Sequence, residues 1–126
     1  MNTSVPSIFA NKPGASAAWQ QLHPFLNELG DVSVSEKKTC LHVDAAGAAF
    51  LGVHPRKTGL RLTIPLDRAL NSERIVKCDA ASKTRFHNDV DLVEGVALDA
   101  ELKGWIEDAY KLRLRKAQKA TKSASI

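Results

Sequence analysis

The sequence predicts an α+β fold in which an N-terminal helix and a long C-terminal helix pack on an antiparallel sheet of about five strands, arranged as a meander. Two segments, Gly14–Leu29 and Asp99–Ala120, place apolar residues every three or four positions, as amphipathic helices do. Between Val32 and Leu66 the apolar residues alternate singly, as in half-buried strands. Only short turns separate these strands, which favours antiparallel pairing.

The chain of 126 residues fits one domain, which we divide into three parts. Residues 1–13 read as a flexible arm, because prolines and small polar residues lack periodicity, and only Phe9 is expected to dock on the body. Residues 14–112 form the single α+β domain. Residues 113–126 form the basic end of the last helix and a frayed tail.

The first helix is expected to stop at Gly30, and Pro24 predicts a kink or a break near Leu22. Leu60–Leu66 is the most regular of the four successive strands. In the strand before it, we place Phe50 on the polar face together with Gly52 and His54.

The segment after Leu66 is less regular, with only a short strand at Ile75–Val76, and Thr84–Val93 reads as the fifth strand. Asp99 is expected to cap the last helix. The buried stripe of that helix comprises Leu102, Trp105, Ile106, Ala109 and Leu112. The residues most strongly expected in the core are Leu62, Ile64, Trp105 and Ile106.

Certain residues, spread along most of the chain, follow one another in the order that is typical of a known family. They are Phe9, Pro13, Leu29-Gly30, Lys38-Thr39, Phe50, Pro55-Arg56, Arg74-Ile75, His87, Asp99, Leu102, Trp105 and Ala109-Tyr110. In this order the chain resembles the bacterial and archaeal domain of unknown function numbered 5655, from about Phe9 to Tyr110. The resemblance implies a fold of helix, meander and helix, and it brings no established activity and no catalytic residues.

Positive charge is concentrated at the C-terminal end. The formal net charge is +4, although the chain outside residues 111–122 has twelve Lys and Arg against fourteen Asp and Glu. The anion-binding candidates are Lys111, Arg113, Arg115, Lys116, Lys119 and Lys122, with no acidic residue among them. Such cations suit phosphate contacts, but they also suit a solvated helix end that complements the helix dipole. We expect Arg113, Arg115, Lys116 and Lys119 to lie off the stripe formed by Leu102, Trp105 and Ala109.

The polar face of the sheet is the second candidate region. Its cleft candidates are Lys38, His42, Phe50, His54, Arg56, Arg61, Arg85 and His87. An exposed aromatic among cations suits stacking on a base, and histidines suit proton transfer or metal binding. However, the histidines meet only if the strand order permits, so we assign no metal site, no cofactor and no catalytic residue.

Cys40 and Cys78 fit no zinc-ligand spacing and are expected to be free thiols, which indicates a cytoplasmic protein. No apolar run approaches the roughly 20 residues of a membrane span, so no membrane partner is expected.

The sequence favours a non-enzymatic binding module for an anionic partner, such as nucleic acid or another polyanion, through the basic last helix. One alternative is a small enzyme or ligand-binding protein that uses a polar sheet-face cleft with His42, His54, His87, Arg61 and Arg85. Another is a domain that binds a protein partner through the last helix.

Overall fold

The computed structural model of the chain describes residues 7–96 and 98–124, with the side chains of 8–96 and 98–117. A short 3-10 helix, Ser7–Phe9, comes first, followed by helix α1, Pro13–Leu29. Six strands come next: β1 Ser33–Glu36, β2 Leu41–Ala45, β3 Ala48–Arg56, β4 Gly59–Leu66, β5 Ile75–Ser82 and β6 Arg85–Val93. Helix α2, Ala100–Ala124, ends the described chain. The α+β architecture expected from the sequence is therefore confirmed, with one strand more than expected.

The N-terminal segment contacts the body through Phe9, as expected. Its side chain is 2% exposed and packs edge-on against Trp19, with ring centroids 5.8 Å apart. Residues 1–6 of the expected arm, like residues 125–126 of the expected tail, lie outside the described residues.

Helix α1 runs without interruption past Pro24, so the expected break near Leu22 does not occur. Pro24 faces solvent, while Ala15, Ala18, Leu22 and Leu26 are buried. The helix stops before Gly30, where φ is +149°, a value that L side chains rarely adopt. A Cβ at Gly30 would also collide with the Tyr110 hydroxyl of α2. Gly30 therefore both ends α1 and allows α2 to approach it.

The six strands form one antiparallel sheet in the order β1-β2-β3-β4-β6-β5. The first four strands are the expected meander, but β6 pairs with β4, and β5 lies outside it as an edge strand. From Val76 to its end β5 is exposed, so the period of burial that identifies a strand in a sequence is missing. For this reason the sequence pattern predicts only Ile75–Val76 as a strand there.

Phe50 lies in the core, and its expected place on the polar face is wrong. The pairing of β2 with β3 shifts register there: Val43 is opposite Leu51, but Asp44 is opposite Ala49, which leaves Phe50 as the extra residue of a β-bulge. The side chain is 1% exposed and meets Tyr110 edge-on, with ring centroids 5.3 Å apart. A bulge reverses the alternation of faces, which is why the sequence pattern misplaces this residue.

Both helices cover the same face of the sheet. The buried sheet residues on that face are Leu41, Val43, Leu51, Val53, Leu60, Leu62, Ile64, Leu66, Val90 and Leu92. Leu102, Ile106 and Ala109 of α2 pack against this core. Trp105 is only half-buried at its edge, with the Arg74 guanidinium 5.7 Å from the ring centroid. Within the described residues, no helix covers the opposite face, which is polar.

Asn88 is a buried polar residue on the helix-covered face, and it holds the connection between β4 and β5. Its amide nitrogen donates to the carbonyls of Ile64 and Arg68, and its amide oxygen accepts the Leu70 N–H at 2.9 Å. The side chain therefore satisfies backbone groups of a segment that must pass around the end of β6 to reach the sheet edge.

No helix in the described ranges is long and apolar enough to cross a membrane.

Candidate functional site

The open polar face of the sheet brings residues of four strands into rows. One row across β2, β3, β4 and β6 consists of His42, Gly52, Thr63 and Asp89. His54 is two residues beyond Gly52, and His87 is opposite Pro65, two residues beyond Thr63. Because side chains two residues apart share a face of a strand, the three histidines point to the same side of the sheet.

A shallow cleft of about 230 Å³ lies on this face, and we call it the sheet-face cleft. It is lined by His42, Ala49, Leu51, Gly52, His54, Thr63, Pro65, Arg85 and His87. Four of the sequence-derived cleft candidates, His42, His54, Arg85 and His87, are therefore brought together. No acidic side chain is among the lining residues. A cavity lined in this way suits an anionic or electron-rich ligand better than a cation.

His54 is the most constrained side chain of the cleft. Its Nε2 lies 3.3 Å from Thr63 Oγ1, and the Thr63 hydroxyl donates to Asp89 Oδ1 at 2.8 Å. An ionised carboxylate can only accept, so the hydroxyl proton points to Asp89, and the hydroxyl oxygen is left to accept from His54. In neutral His54 the proton is therefore on Nε2, and Nδ1 carries the lone pair.

Burial lowers the pKa of His54 below its ordinary 6.5, because a half-buried imidazolium loses solvation. The Asp89 carboxylate raises this pKa, but it does not outweigh burial and the charges of His42, Arg56 and Arg61, all of which lower it. His54 is thus predominantly neutral near pH 7, and its Nδ1 is available as a hydrogen-bond acceptor.

Arg61 faces the same side of the sheet but is already paired. Its Nε donates to Asp91 Oδ1 at 2.8 Å and its Nη2 to Asp91 Oδ2 at 3.1 Å. This bidentate contact raises the pKa of Arg61 further above its ordinary value. Arg61 is therefore committed to Asp91, and it does not line the sheet-face cleft.

Lys38 and Arg56, the other cleft candidates, lie away from the histidines. Lys38 is exposed in the segment between β1 and β2. Arg56 lies at the end of β3 and lines a separate cavity of about 230 Å³ with Lys57, Arg61 and Asp91. Neither residue belongs to the cleft that contains His54.

The basic side chains at the end of α2 point in different directions. Lys111 and Arg115, one helical turn apart, are exposed. Arg113 instead donates from Nε to the Ala45 carbonyl and from Nη2 to the Ala46 carbonyl, both at 3.0 Å. The expectation that Arg113 lies off the stripe of α2 is wrong, because it follows Ala109 by one turn. Lys119 and Lys122 lie outside the residues whose side chains are described.

A second, smaller cavity of about 60 Å³ lies where α2 meets the ends of β3, β4 and β6, and we call it the helix-base cavity. Its charged lining residues are Arg85, Arg113 and Lys116, and no acidic side chain lines it. Arg85 also lines the sheet-face cleft, so the two cavities adjoin at this side chain.

Across residues 7–96 and 98–124 there is no group of three or more His, Cys, Asp and Glu side chains close enough to hold a metal ion. The three cleft histidines share a face without converging on one point.

The cleft candidates named from the sequence do not include three residues that shape the cleft. Gly52 leaves its floor empty, and Thr63 and Asp89 fix the orientation of His54. The alternation of Leu60–Leu66 places Thr63 outward, and that of Thr84–Val93 places Asp89 outward, but nothing in the sequence joins them to His54.

Comparison with known proteins identifies a family. The model of the family described as Domain of unknown function (DUF5655) matches residues 5–113, which is most of the chain and includes both the sheet-face cleft and the first part of the basic helix end. No curated protein and no solved structure matches the chain. The resemblance noted in the sequence is thereby confirmed: the chain belongs to the DUF5655 family of domains of unknown function.

Proposed function

We propose that this domain is a non-enzymatic binding module whose partner is nucleic acid, held through phosphate contacts by the basic end of α2. The observation that carries the proposal is the exposure of Lys111 and Arg115 on a helix that has no acidic residue after Asp108. Cations that are not neutralised by neighbouring carboxylates are available to replace the counterions of a polyanion.

The surroundings of the helix end extend this surface. Lys116 is exposed and lines the helix-base cavity with Arg85. The guanidinium of Arg85 has no ion pair or hydrogen bond to any described residue, in contrast to those of Arg61, Arg68, Arg74 and Arg113. Cations therefore lie both on the exposed side of α2 and around the helix-base cavity. A flexible nucleic-acid strand can contact both groups of cations.

The chemistry of these side chains predicts weak binding that depends on salt and barely on sequence, because phosphate contacts carry no base information. Arg113 is held by the Ala45 and Ala46 carbonyls, so phosphate contacts by the other five cations of the helix end would give a log–log salt slope of about −4.5 on duplex DNA. A slope near this value supports the use of all five, and a shallower slope indicates fewer contacts.

The test is a titration of labelled single-stranded RNA and duplex DNA at two salt concentrations. The variant Lys111→Gln/Arg115→Gln/Lys116→Gln leaves the bonds of Arg113 intact and should make the slope shallower by about 2.7. The matched control Lys37→Gln/Lys38→Gln/Lys83→Gln removes the same charge from exposed residues elsewhere. No binding at low salt, or equal weakening by the control, would contradict the proposal.

A second candidate function is favoured by the acid-free sheet-face cleft. A small ligand-binding protein or enzyme would use His42, His54, Arg85 and His87 there. Arg61 would not contribute to this site, because its guanidinium is paired with Asp91.

We also infer a cytoplasmic location in a bacterial or archaeal cell, these being the cell types of the family that the chain resembles. The support for the cytoplasm is chemical: Cys40 and Cys78 are free thiols, and Cys78 is exposed on the edge strand β5.

A further inference from the structure

We propose that the helix-base cavity binds the terminal phosphate of a nucleic-acid strand, with Arg85 and Lys116 contacting the phosphate and Arg113 adding a fixed positive charge. The inference rests on the proposed function and refines it, because it names the part of the strand that the cavity takes. It needs only side chains that line this one cavity.

The fold brings three cations to the wall of the helix-base cavity. Arg113 and Lys116 are three residues apart on α2, so they lie on the same side of the helix. Arg85 begins β6 beside Phe86, which pairs with Leu66, another lining residue. A single cavity of about 60 Å³ is therefore lined by all three cations, and no acidic side chain lines it.

Arg113 is the fixed member of the three. Its Nε and Nη2 donate to the Ala45 and Ala46 carbonyls, both at 3.0 Å, so this side chain cannot follow a ligand along α2. Its charge is instead held at the cavity wall, and its Nη1 has no hydrogen-bond partner among the described residues. A positive charge that is in place before binding attracts an anion without a further loss of side-chain freedom.

Arg85 and Lys116 supply the direct contacts. Both side chains are exposed, and neither charged group forms an ion pair or a hydrogen bond with any described residue. The planar guanidinium of Arg85 matches two phosphate oxygens at once, whereas the ammonium group of Lys116 acts as a point charge. Together they favour phosphate over a neutral group.

Two carboxylates adjoin lining residues along the chain, and both are paired with Arg68. Asp67 follows Leu66, and Asp108 precedes Ala109. Arg68 Nη1 lies 3.7 Å from Asp67 Oδ1, and Arg68 Nη2 lies 2.9 Å from Asp108 Oδ2. These carboxylates are therefore engaged with another cation. The three cations of the cavity repel one another, and a bound anion removes that cost.

The rest of the cavity wall strengthens the attraction. The other seven lining residues are apolar, among them Phe50, Leu66 and Leu112. Walls of low dielectric constant concentrate the field of charges of one sign, so an anion is attracted more strongly there than on an open helix surface. Lys111 and Arg115 lie outside this lining, so each should contribute less to binding per charge.

The size of the cavity favours a terminal phosphate over a phosphate within the strand. A volume of about 60 Å³ holds about four water-sized groups, which is close to the size of one phosphate group. An internal phosphate brings a sugar on both sides, for which a cavity of this size has no room. A terminal phosphate also carries a charge of about −1.5 to −2 near pH 7, which suits three cations better than the single charge of an internal phosphate.

The first experiment measures the binding of three single-stranded RNA probes to the full chain by fluorescence anisotropy, with an internal label. Two probes are nine-nucleotide strands, one with a 5′-phosphate and one with a 3′-phosphate. The third is an eleven-nucleotide strand with hydroxyl groups at both ends, whose two additional internal phosphates give it nearly the same total charge. At least one phosphorylated strand should bind about tenfold more tightly than the third probe, as one charged hydrogen bond predicts.

The outcomes separate this inference from the proposed function. Equal affinity for all three probes would overturn the inference and leave the proposed function intact. Absence of binding to all three at low salt would overturn both. Uridine 5′-monophosphate should bind more weakly than the phosphorylated strands, because it lacks the phosphates that reach Lys111 and Arg115. Equally tight binding would identify the ligand as a free nucleotide and would also overturn the inference.

The second experiment assigns the preference for a terminal phosphate to Arg85. Arg85→Gln should remove most of this preference while changing the binding of the eleven-nucleotide strand little. Lys83→Gln is the matched control, an exposed cation two residues earlier that does not line the cavity, and it should keep the preference. Lys111→Gln/Arg115→Gln should weaken the binding of all probes and keep it too. A preference that survives Arg85→Gln, or that is lost in Lys83→Gln, would overturn the inference.

Arg85 also lines the sheet-face cleft, so two further variants separate the two cavities. Lys116→Gln alters only the helix-base cavity and should reduce the preference for a terminal phosphate. His42→Gln alters only the sheet-face cleft and should leave this preference unchanged. The reverse pattern would move the phosphate to the sheet-face cleft and overturn the inference.

Discussion

Arg113 shows how one cationic side chain can serve the fold instead of a ligand. Its guanidinium donates to the Ala45 and Ala46 carbonyls in the turn between β2 and β3. That turn contains two residues in left-handed conformations, Ala46 with φ +52° and Gly47 with φ +89°. Arg113 therefore fastens α2 to a tight turn whose carbonyls would otherwise depend on solvent.

Replacing Arg113 with Gln should lower the free energy of unfolding by about 1–3 kcal/mol, because hydrogen bonds from a charged donor are lost. Arg115→Gln is the matched control: the residue is exposed and makes no bond to the described residues, so its effect should stay within about 0.5 kcal/mol. Urea unfolding of the two variants measures the difference. Equal stability of the two would show that the contact with the turn contributes nothing.

The N-terminus of α2 is the clearest case at the scale of an element. Asp99 Oδ1 accepts the Leu102 N–H at 2.9 Å, which is the geometry of an N-cap. Arg74, from the connection before β5, donates to both Asp99 oxygens and to Glu101. The backbone N–H of Leu102, and then Arg74, hold the pKa of Asp99 below its ordinary 3.8. The cap and the ion pair thus fix the start of α2 relative to the sheet.

Asp99→Ala should lower the free energy of unfolding by about 0.5–2 kcal/mol at neutral pH, through loss of the cap. Asp99→Asn keeps a capping oxygen but loses the charge, so it isolates the ionic part. Since the folded-state pKa of Asp99 is depressed, the ionic part is fully present above 3.8 and is lost as the pH falls through the lower folded-state value. Urea unfolding should therefore show a stability gap between the unmodified protein and the Asp99→Asn variant that narrows below pH 3.8. A gap that widens there would contradict the assignment.

The edge strand β5 is protected against pairing with another chain. Its register with β6 shifts twice, between Ile75 and Lys77 and between Ala80 and Ser82, and it carries exposed charges at Lys77 and Asp79. Bulges and charges at a sheet edge disfavour strand addition. The exposure of β5 is therefore compatible with a monomeric sheet.

At the scale of the whole molecule, the sheet keeps the two thiols apart. Cys40 directly precedes β2, the neighbour of edge strand β1, whereas Cys78 lies in β5 at the other edge, four strands away from β2. Strands are spaced by about 4.8 Å, so the two Cα atoms are far beyond the roughly 7 Å limit for a disulfide. The native fold thus excludes a bond between them.

The core depends on the central strand β4, which pairs with β3 and β6 and lies under both helices. Leu62 is fully buried at its centre, so Leu62→Ala should lower the free energy of unfolding by about 2–5 kcal/mol. Val76→Ala on the exposed edge strand should change it by about 0.5 kcal/mol or less. Urea unfolding of both variants checks this. Similar losses would mean that burial does not set the stability of the sheet.

Local patterns in the sequence determined the elements that repeat regularly. Leu60, Leu62, Ile64 and Leu66 are buried at alternate positions as expected, and Leu102, Ile106 and Ala109 form the buried stripe of α2. Asp99 caps α2, and Gly30 ends α1. These features depend on neighbours within a few residues, so periodicity and capping chemistry are sufficient to find them.

Tertiary structure alone decided the features that depend on which strands are neighbours. The pairing of β4 with β6 brings Thr63 next to Asp89, and the register between β3 and β4 brings His54 next to Thr63. The bulge that buries Phe50 is a property of the β2–β3 pair and not of β3 alone. A sequence specifies which way each side chain alternates, but pairing order and register arise from long-range contacts. For that reason the cleft histidines were visible in the sequence while the cleft itself was not.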